Sequence, residues 1–301
     1  SLSIGLGAAS AFPTNNGTPK ANDGFQIDLI DFSTNQNGSP NYTYPVDLYA
    51  VVQDTVGTAE SFTGLALSDL PAGTTLSVVR ADGSYQEITP NAQGEYDLSA
   101  YTALLNTPTT TSGTDKLYLV TVEALPSGFV PTLTVEVSDG GSSSAKTIIG
   151  GSASSTLTGG AGNDYIDGGA GNDFLIGGEG DDILLGGSGA DTFVWQAGHS
   201  GNDVIKDFNS SAGDRIDLRD LLQGEESTSD ITQYLRVDTA TSTLLISSTG
   251  VLNADASNAD VSIKLENNGT PVNLNPGNLS PSDLVNSLIA GADPMIKTDH
   301  I

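Results

Sequence analysis

The sequence predicts an all-β protein in three zones: a β-sandwich over residues 1–139, a stack of short repeated strands over 140–222, and a small mixed cap over 223–301. Three observations carry this. The first zone alternates apolar and polar residues between Pro, Gly and Asn turns. The middle zone repeats itself every nine residues. The last zone drops that period and turns rich in Ser, Thr and Asn.

In the first zone, Gly24–Ile30, Val46–Val52 and Leu117–Val122 read as strands. Asn37-Gly38-Ser39-Pro40, Leu70-Pro71-Ala72-Gly73 and Ala81-Asp82-Gly83-Ser84 read as the turns between strands. A short helix is expected near Leu98–Leu105. The run from Phe62 to Leu76, with Leu70-Pro71-Ala72-Gly73 inside it, resembles cadherin-like and immunoglobulin-like repeats of giant bacterial adhesins. The close, Leu133-Thr134-Val135-Glu136-Val137-Ser138-Asp139-Gly140-Gly141, resembles them too.

The middle zone is dominated by glycine and aspartate, with no Lys or Arg from Thr147 to Ile205. Gly159–Asp167, Gly168–Ile176, Gly177–Leu185 and Gly186–Val194 follow one another without a gap, each fitting G-G-x-G-x-D-x-U-x. The glycines allow left-handed backbone that turns carbonyls toward one point. The sixth residue, Asp164, Asp173, Asp182 or Asp191, adds a charged oxygen. Calcium, a hard cation taking six to eight oxygens, suits such a turn. The eighth residue, Ile166, Leu175, Leu184 or Phe193, supplies one inward apolar side chain per strand. A flexible glycine-rich linker does not space large apolar residues this way.

These repeats resemble the RTX family, whose nonapeptides wind two per turn into a parallel calcium β-roll and which leaves the cell by type I secretion. The resemblance implies that backbone carbonyls at positions one and three, with the position-five group, face positions two, four and six of the turn two repeats later. On this chain Gly159, Ala161 and Asn163 would face Gly178, Gly180 and Asp182. Gly168, Ala170 and Asn172 would face Gly187, Gly189 and Asp191. A third site would use Gly177, Glu179 and Asp181, with Asp203 as its candidate partner although it lies twelve residues after Asp191 rather than nine. Ala190 departs from the polar fifth position. Upstream, Gly150–Thr158 keeps the double glycine and apolar Leu157 but has Ser155 at position six, and Gly141–Ile149 keeps Ile148. The roll is therefore expected to begin near residue 141 with coils that bind calcium weakly or not at all. Downstream, Phe193-Val194-Trp195, Asn202–Phe208 and Asp214–Leu218 match the family's C-terminal flank, with Trp195 expected to cap the open end.

Strands are expected at Leu244–Ser247 and Val261–Leu265, and a helix at Ser282–Ile289 with Ser280 as N-cap and Pro281 in its first turn. The opening residues, Ser1–Gly7, lack a basic stretch and an apolar core, so they do not read as a signal peptide; the chain looks like a piece of something larger.

Composition sets limits. With 37 acidic against 10 basic side chains the net charge is −27, which disfavours nucleic acid or anionic membrane as partner and favours divalent cations. There is no cysteine, hence no disulfide or thiolate site. No apolar run reaches the roughly 20 residues of a membrane span. Only His199 and His300 are present, so a zinc H-E-x-x-H helix is impossible. Gly198-His199-Ser200-Gly201-Asn202 lacks the final glycine of a nucleophile elbow. Asp23, Asp28 and Asp31, and separately Asp54, Glu60 and Asp139, are candidate calcium groups of the first zone and its boundary, or simply solvated acids.

The sequence thus points to a non-enzymatic, secreted, cell-surface segment from a Gram-negative bacterium: the end of an RTX adhesin for surface attachment or biofilm, handled by type I secretion machinery. A calcium-dependent module binding a sugar or peptide, and the non-catalytic tail of a secreted hydrolase, stand as alternatives.

Overall fold

The computed structural model describes residues 2–5, 26–29, 42–46, 61–104, 113–125, 129–138, 145–224, 230–253 and 255–299. The chain divides into two compact units, Ser1–Ser142 and Ser143–Ile301.

The first unit is antiparallel. Its strands are β1 (Leu2–Gly5), β2 (Gln26–Leu29), β3 (Tyr42–Val46), β4 (Ser61–Ser68), β5 (Thr75–Val79), β6 (Tyr85–Ile88), β7 (Tyr96–Asp97), β8 (Lys116–Thr121) and β9 (Thr132–Ser138). Strand β1 pairs with β2. One sheet runs β3-β8-β5-β6, and β4 pairs with both β7 and β9. Alternation sends Leu76, Val78, Leu117 and Leu119 of the first sheet, and Leu65, Leu67, Leu133 and Val135 of the second, into buried positions. Tyr96 Oη donates to the Thr74 carbonyl at 2.9 Å, joining β7 to the start of β5. The Leu70–Gly73 turn closes as expected: Thr74 N–H donates to Pro71 O, with Gly73 at φ 79°. The helix expected near Leu98–Leu105 is a 3-10 segment over Ser99–Leu104 with a kink at Tyr101.

The second unit is built on a fixed translation of 18 residues. Strand β10 (Ala145–Ile149) pairs in parallel with β12 (Tyr165–Asp167), and β11 (Thr156–Ala161) with β13 (Phe174–Glu179). Strand β14 (Ile183–Leu185) continues the first sheet and β15 (Thr192–Val194) the second. Consecutive nonapeptides therefore alternate between two sheets, two per turn. The next coil, β16 (Gly201–Ile205) and β17 (Arg215–Asp217), keeps the pairing despite longer loops.

Two files of apolar side chains result. Ile148, Ile166, Leu184 and Ile205 stack in one sheet; Leu157, Leu175, Phe193 and Ile216 stack in the other. All are buried in a single core cluster. Each repeat alone has too little apolar surface for a core, and stacking supplies it.

Residues after 223 add to both sheets. Strands β18 (Leu235–Asp238), β19 (Thr243–Ile246) and β20 (Val261–Asn267) form an antiparallel meander, and β21 (Thr270–Pro271) turns back on β20. Strand β20 pairs in parallel with β16, placing Leu265 beside Ile205. Strand β22 (Ile296–Lys297) pairs with β17, placing Ile296 beside Ile216. Helix α1 (Pro281–Ile289) starts at Ser280, whose Oγ accepts from Asp283 N–H, and it buries Leu284, Val285 and Leu288. No helix among the described residues is long and apolar enough to cross a membrane.

Candidate metal centre

The turns that join the short strands hold two ladders of position-six residues. In the first, Lys146 N–H donates to Asp164 Oδ1 at 2.6 Å, Asp164 N–H to Asp182 Oδ1 at 2.8 Å, and Asp182 N–H to Asp203 Oδ1 at 2.9 Å. In the second, Ser155 N–H donates to Asp173 Oδ1 at 2.7 Å, Asp173 N–H to Asp191 Oδ1 at 2.9 Å, and Asp191 N–H to Asp214 Oδ1 at 3.1 Å. Every one of these aspartates is buried.

The second carboxylate oxygen differs along the ladders. In Asp182, Oδ2 is buried with no hydrogen-bond partner. At the ends, Asp203 Oδ2 accepts from the Trp195 indole N–H at 2.7 Å, and Asp214 Oδ2 from Asn209 N–H at 2.8 Å. Asp207, outside both ladders, accepts from Gly186 and Gly187 N–H.

Glycine makes this spacing possible. Gly178 (φ 120°) and Gly180 (φ 126°) adopt left-handed backbone, and a Cβ on either would overlap the carbonyl oxygen of Gly160 or Gly162 in the preceding turn. Gly177 is needed for close approach, since a Cβ there would strike the Asp182 carboxylate. The same holds in the second file, where Gly187 and Gly189 meet the carbonyls of Gly169 and Gly171, and Gly168 meets the Gly186 carbonyl and Asp173.

The structure thus brings Gly159, Ala161, Asn163 and Asp164 beside Gly177, Gly178, Glu179, Gly180, Asp181 and Asp182. Ala161 pairs with Glu179, and Asn163 Oδ1 accepts from Asp181 N–H at 2.9 Å. It likewise brings Ala170 beside Ser188, and Asn172 Oδ1 accepts from Ala190 N–H at 2.9 Å. Asp181 Oδ1 accepts from Asn202 N–H, which places the Gly177 turn against the loop leading to Asp203. The fifth position therefore carries a side-chain rung between coils, a role the sequence pattern did not reveal.

Burial sets the electrostatics. Removal from water, with Asp203, Asp164 and Asp181 adding repulsion, pushes the Asp182 carboxyl up to about 8. The same cause, with Asp214, Asp173 and Asp207 nearby, takes Asp191 to about 6. Burial likewise takes Asp203 to about 6, against the bonds from Asp182 N–H and Trp195. Asp167, Asp207 and Asp214 are also raised, in each case mainly by burial.

Among the described residues no three His, Cys, Asp or Glu side chains cluster closely enough to hold a metal by themselves. A cation here must draw on backbone carbonyls as well as the carboxylates, which is the chemistry of calcium rather than zinc. The orphaned Asp182 oxygen and the glycine-lined turns fit that demand. These groups would hold calcium, whose positive charge would let neighbouring carboxylates stay ionised while buried.

Three of the sequence candidates, Asp203, Trp195 and His199, can be placed individually. Asp203 follows Asp182 by 21 residues rather than 18, because the loop before it is longer. Trp195 is buried at the end of the first ladder. His199 lies in the loop after β15, where its Nδ1 accepts from Gln196 N–H and burial lowers its pKa. Of the first-zone acids, Asp23, Asp31, Asp54, Glu60 and Asp139 lie outside the described residues, as do Gly141–Ser144 of the earliest repeat. Sequence reasoning missed Asp214. Counting back two places from the apolar Ile216 would have found it, as it finds Asp203 from Ile205.

Comparison with known protein families recognises these repeats. The RTX calcium-binding nonapeptide repeat matches residues 141–175 and 158–193. Residues 141–193 are thus RTX repeats, and such repeats bind calcium. Among solved structures, the chain is similar to the AlgE6R3 subunit of the Azotobacter vinelandii mannuronan C5-epimerase, determined in solution. Identity is 29%, covering 39% of this chain and 73% of that one, with a TM-score of 0.25. No curated protein matches the chain.

Proposed function

We propose that the chain is the C-terminal part of a secreted, calcium-dependent RTX adhesin of a Gram-negative bacterium. Its roll folds on extracellular calcium and thereby supports export through type I secretion machinery. The observation that carries this reading is the pair of buried carboxylate ladders. Acids held in register out of water repel one another until a cation is shared between them. Cytosolic calcium is too dilute to fill weak sites, so the segment stays extended for threading. Outside, at roughly 10⁻³ M, calcium reaches the range that extracellular modules use, and binding free energy becomes folding free energy.

The first unit would act as an extender or as the gripping module at the cell surface. Support for an adhesin domain there is the likeness of the Phe62–Leu76 and Leu133–Gly141 runs to adhesin repeats. The role is read as non-catalytic, since the buried position-six carboxylates of the roll are held in its ladders.

Circular dichroism of the full chain, titrated from chelator to millimolar calcium, tests the folding step. A cooperative gain of β signal is expected, and a spectrum indifferent to calcium would sink it. Export is tested in cells carrying a type I exporter, with Asp164, Asp173, Asp182 and Asp191 all changed to alanine. Undiminished export of that variant counts against the secretion role. Glycan and peptide arrays, with and without chelator, test attachment. Capture of one defined sugar or peptide would favour a dedicated ligand-binding module over a passive extender.

A further inference from the structure

The first described coil of the roll carries a lysine where its successors carry aspartate. Position six is Lys146 in the repeat whose apolar residue is Ile148, and Asp164 in the repeat of Ile166. The backbone treats the two alike. Thr147 and Ile148 pair with Tyr165 and Ile166, and the Lys146 N–H enters the ladder on Asp164 Oδ1 as the Asp164 N–H does on Asp182 Oδ1. No other Lys or Arg lies between Lys116 and Lys206, so the charge inversion falls on this one slot.

The side chains meet the same feature with opposite chemistry. The Asp164 carboxylate and the Gly177 carbonyl both crowd the α-carbon of Gly159. Both are acceptors, and a cation reconciles them. Eighteen residues earlier the equivalent pair is Lys146 and the Gly159 carbonyl, and there Lys146 Nζ donates to the oxygen at 2.5 Å. At the far end of the same ladder, the Trp195 N–H takes the Asp203 oxygen. Both ends of this ladder finish on donors belonging to the protein.

We propose that Lys146 is a tethered cation that takes the place of a calcium ion at the first coil. It ends the row of metal sites on that face and lets the Lys146 coil lock onto the next without metal. This rests on calcium binding by the later coils. The charge is covalently attached, so this coil needs no ion captured from solution.

Native mass spectrometry of the full chain at millimolar calcium tests the idea, with folding of each variant checked by circular dichroism. Lys146→Asp restores the carboxylate and is expected to bind one more calcium ion than the wild type. An unchanged count overturns the proposal. Lys146→Met removes the charge without restoring a ligand, and is expected to speed amide exchange over Ala145–Ile149 by about tenfold in the calcium-loaded chain. Unchanged exchange there overturns it equally. A wild-type chain that binds no calcium would instead overturn the calcium reading of the roll, a distinct failure.

Discussion

Replacing Asp182 with asparagine is expected to stabilise the calcium-free roll and destabilise the calcium-loaded one. Asparagine keeps the oxygen that accepts from Asp164 N–H and replaces the second, unpartnered oxygen with a neutral NH2 group. In the metal-free chain that charge is a liability, because burial lifts the carboxyl from its ordinary 3.8 to about 8. A raised carboxylate costs nothing below the unfolded value, and its penalty grows as pH rises toward the folded one. At about 1.4 kcal/mol per unit, the ceiling at pH 7 is about 4 kcal/mol, and residual screening by water lowers it to roughly 2–4 kcal/mol. With calcium present the sign reverses, since a charged ligand has been removed, and about 1–3 kcal/mol should be lost. The assay is urea unfolding followed by Trp195 emission, in millimolar calcium and again in chelator with a stabilising osmolyte. Equal destabilisation in both conditions would refute the reasoning, because it would mean that the carboxylate serves packing and not a cation.

Three further outcomes follow from the packing and the charge pairs. Leu175→Ala, fully buried between Leu157 and Phe193, should cost about 2–5 kcal/mol by denaturant unfolding in calcium. Trp195→Phe keeps most of the ring volume but removes the bond to Asp203. It should cost about 1–3 kcal/mol, read by circular dichroism because the only tryptophan is gone. Burial alone would raise Glu266, but hydrogen bonds from Lys264 and Lys206 outweigh it and hold its pKa below the ordinary 4.5. Its contribution is therefore present above pH 4.5 and lost as pH falls through the lowered value. Glu266→Gln should flatten this acid-side loss in a thermal melt series.

The middle of the chain was legible because its physics is local. One apolar residue every nine positions gives the strand, and a glycine–aspartate turn gives the oxygen-rich bend. The same period carried upstream pointed to Ile148 and Leu157, which now stand in the two files. Legibility failed where the step changed. Asp203 and Asp214 follow their ladder partners by 21 and 23 residues, because loops are inserted after Trp195 and after Phe208. Longer-range pairings were invisible. Val261–Leu265 and Ser282–Ile289 read correctly as strand and helix, yet nothing local says that Leu265 joins Ile205 or that Ile296 joins Ile216. The rungs from Asn163 and Asn172 were missed for a related reason. Their donors are backbone N–H groups, which a side-chain pattern does not display.

The downstream ends of the two files have a consequence for assembly. A stack of near-identical parallel coils offers an unpaired edge onto which another molecule could build, as fibrils do. Here one file stops at β22, only two residues long and carrying Lys297, and the other passes through β20 into a meander that reverses direction. A two-residue strand bearing a lysine and a meander that reverses direction are poor templates for a further parallel coil, while the interior stays modular. The 18-residue register would let whole coils be gained or lost between Lys146 and the meander. Roll length, and with it the number of ions held, is free to vary without redesigning either end.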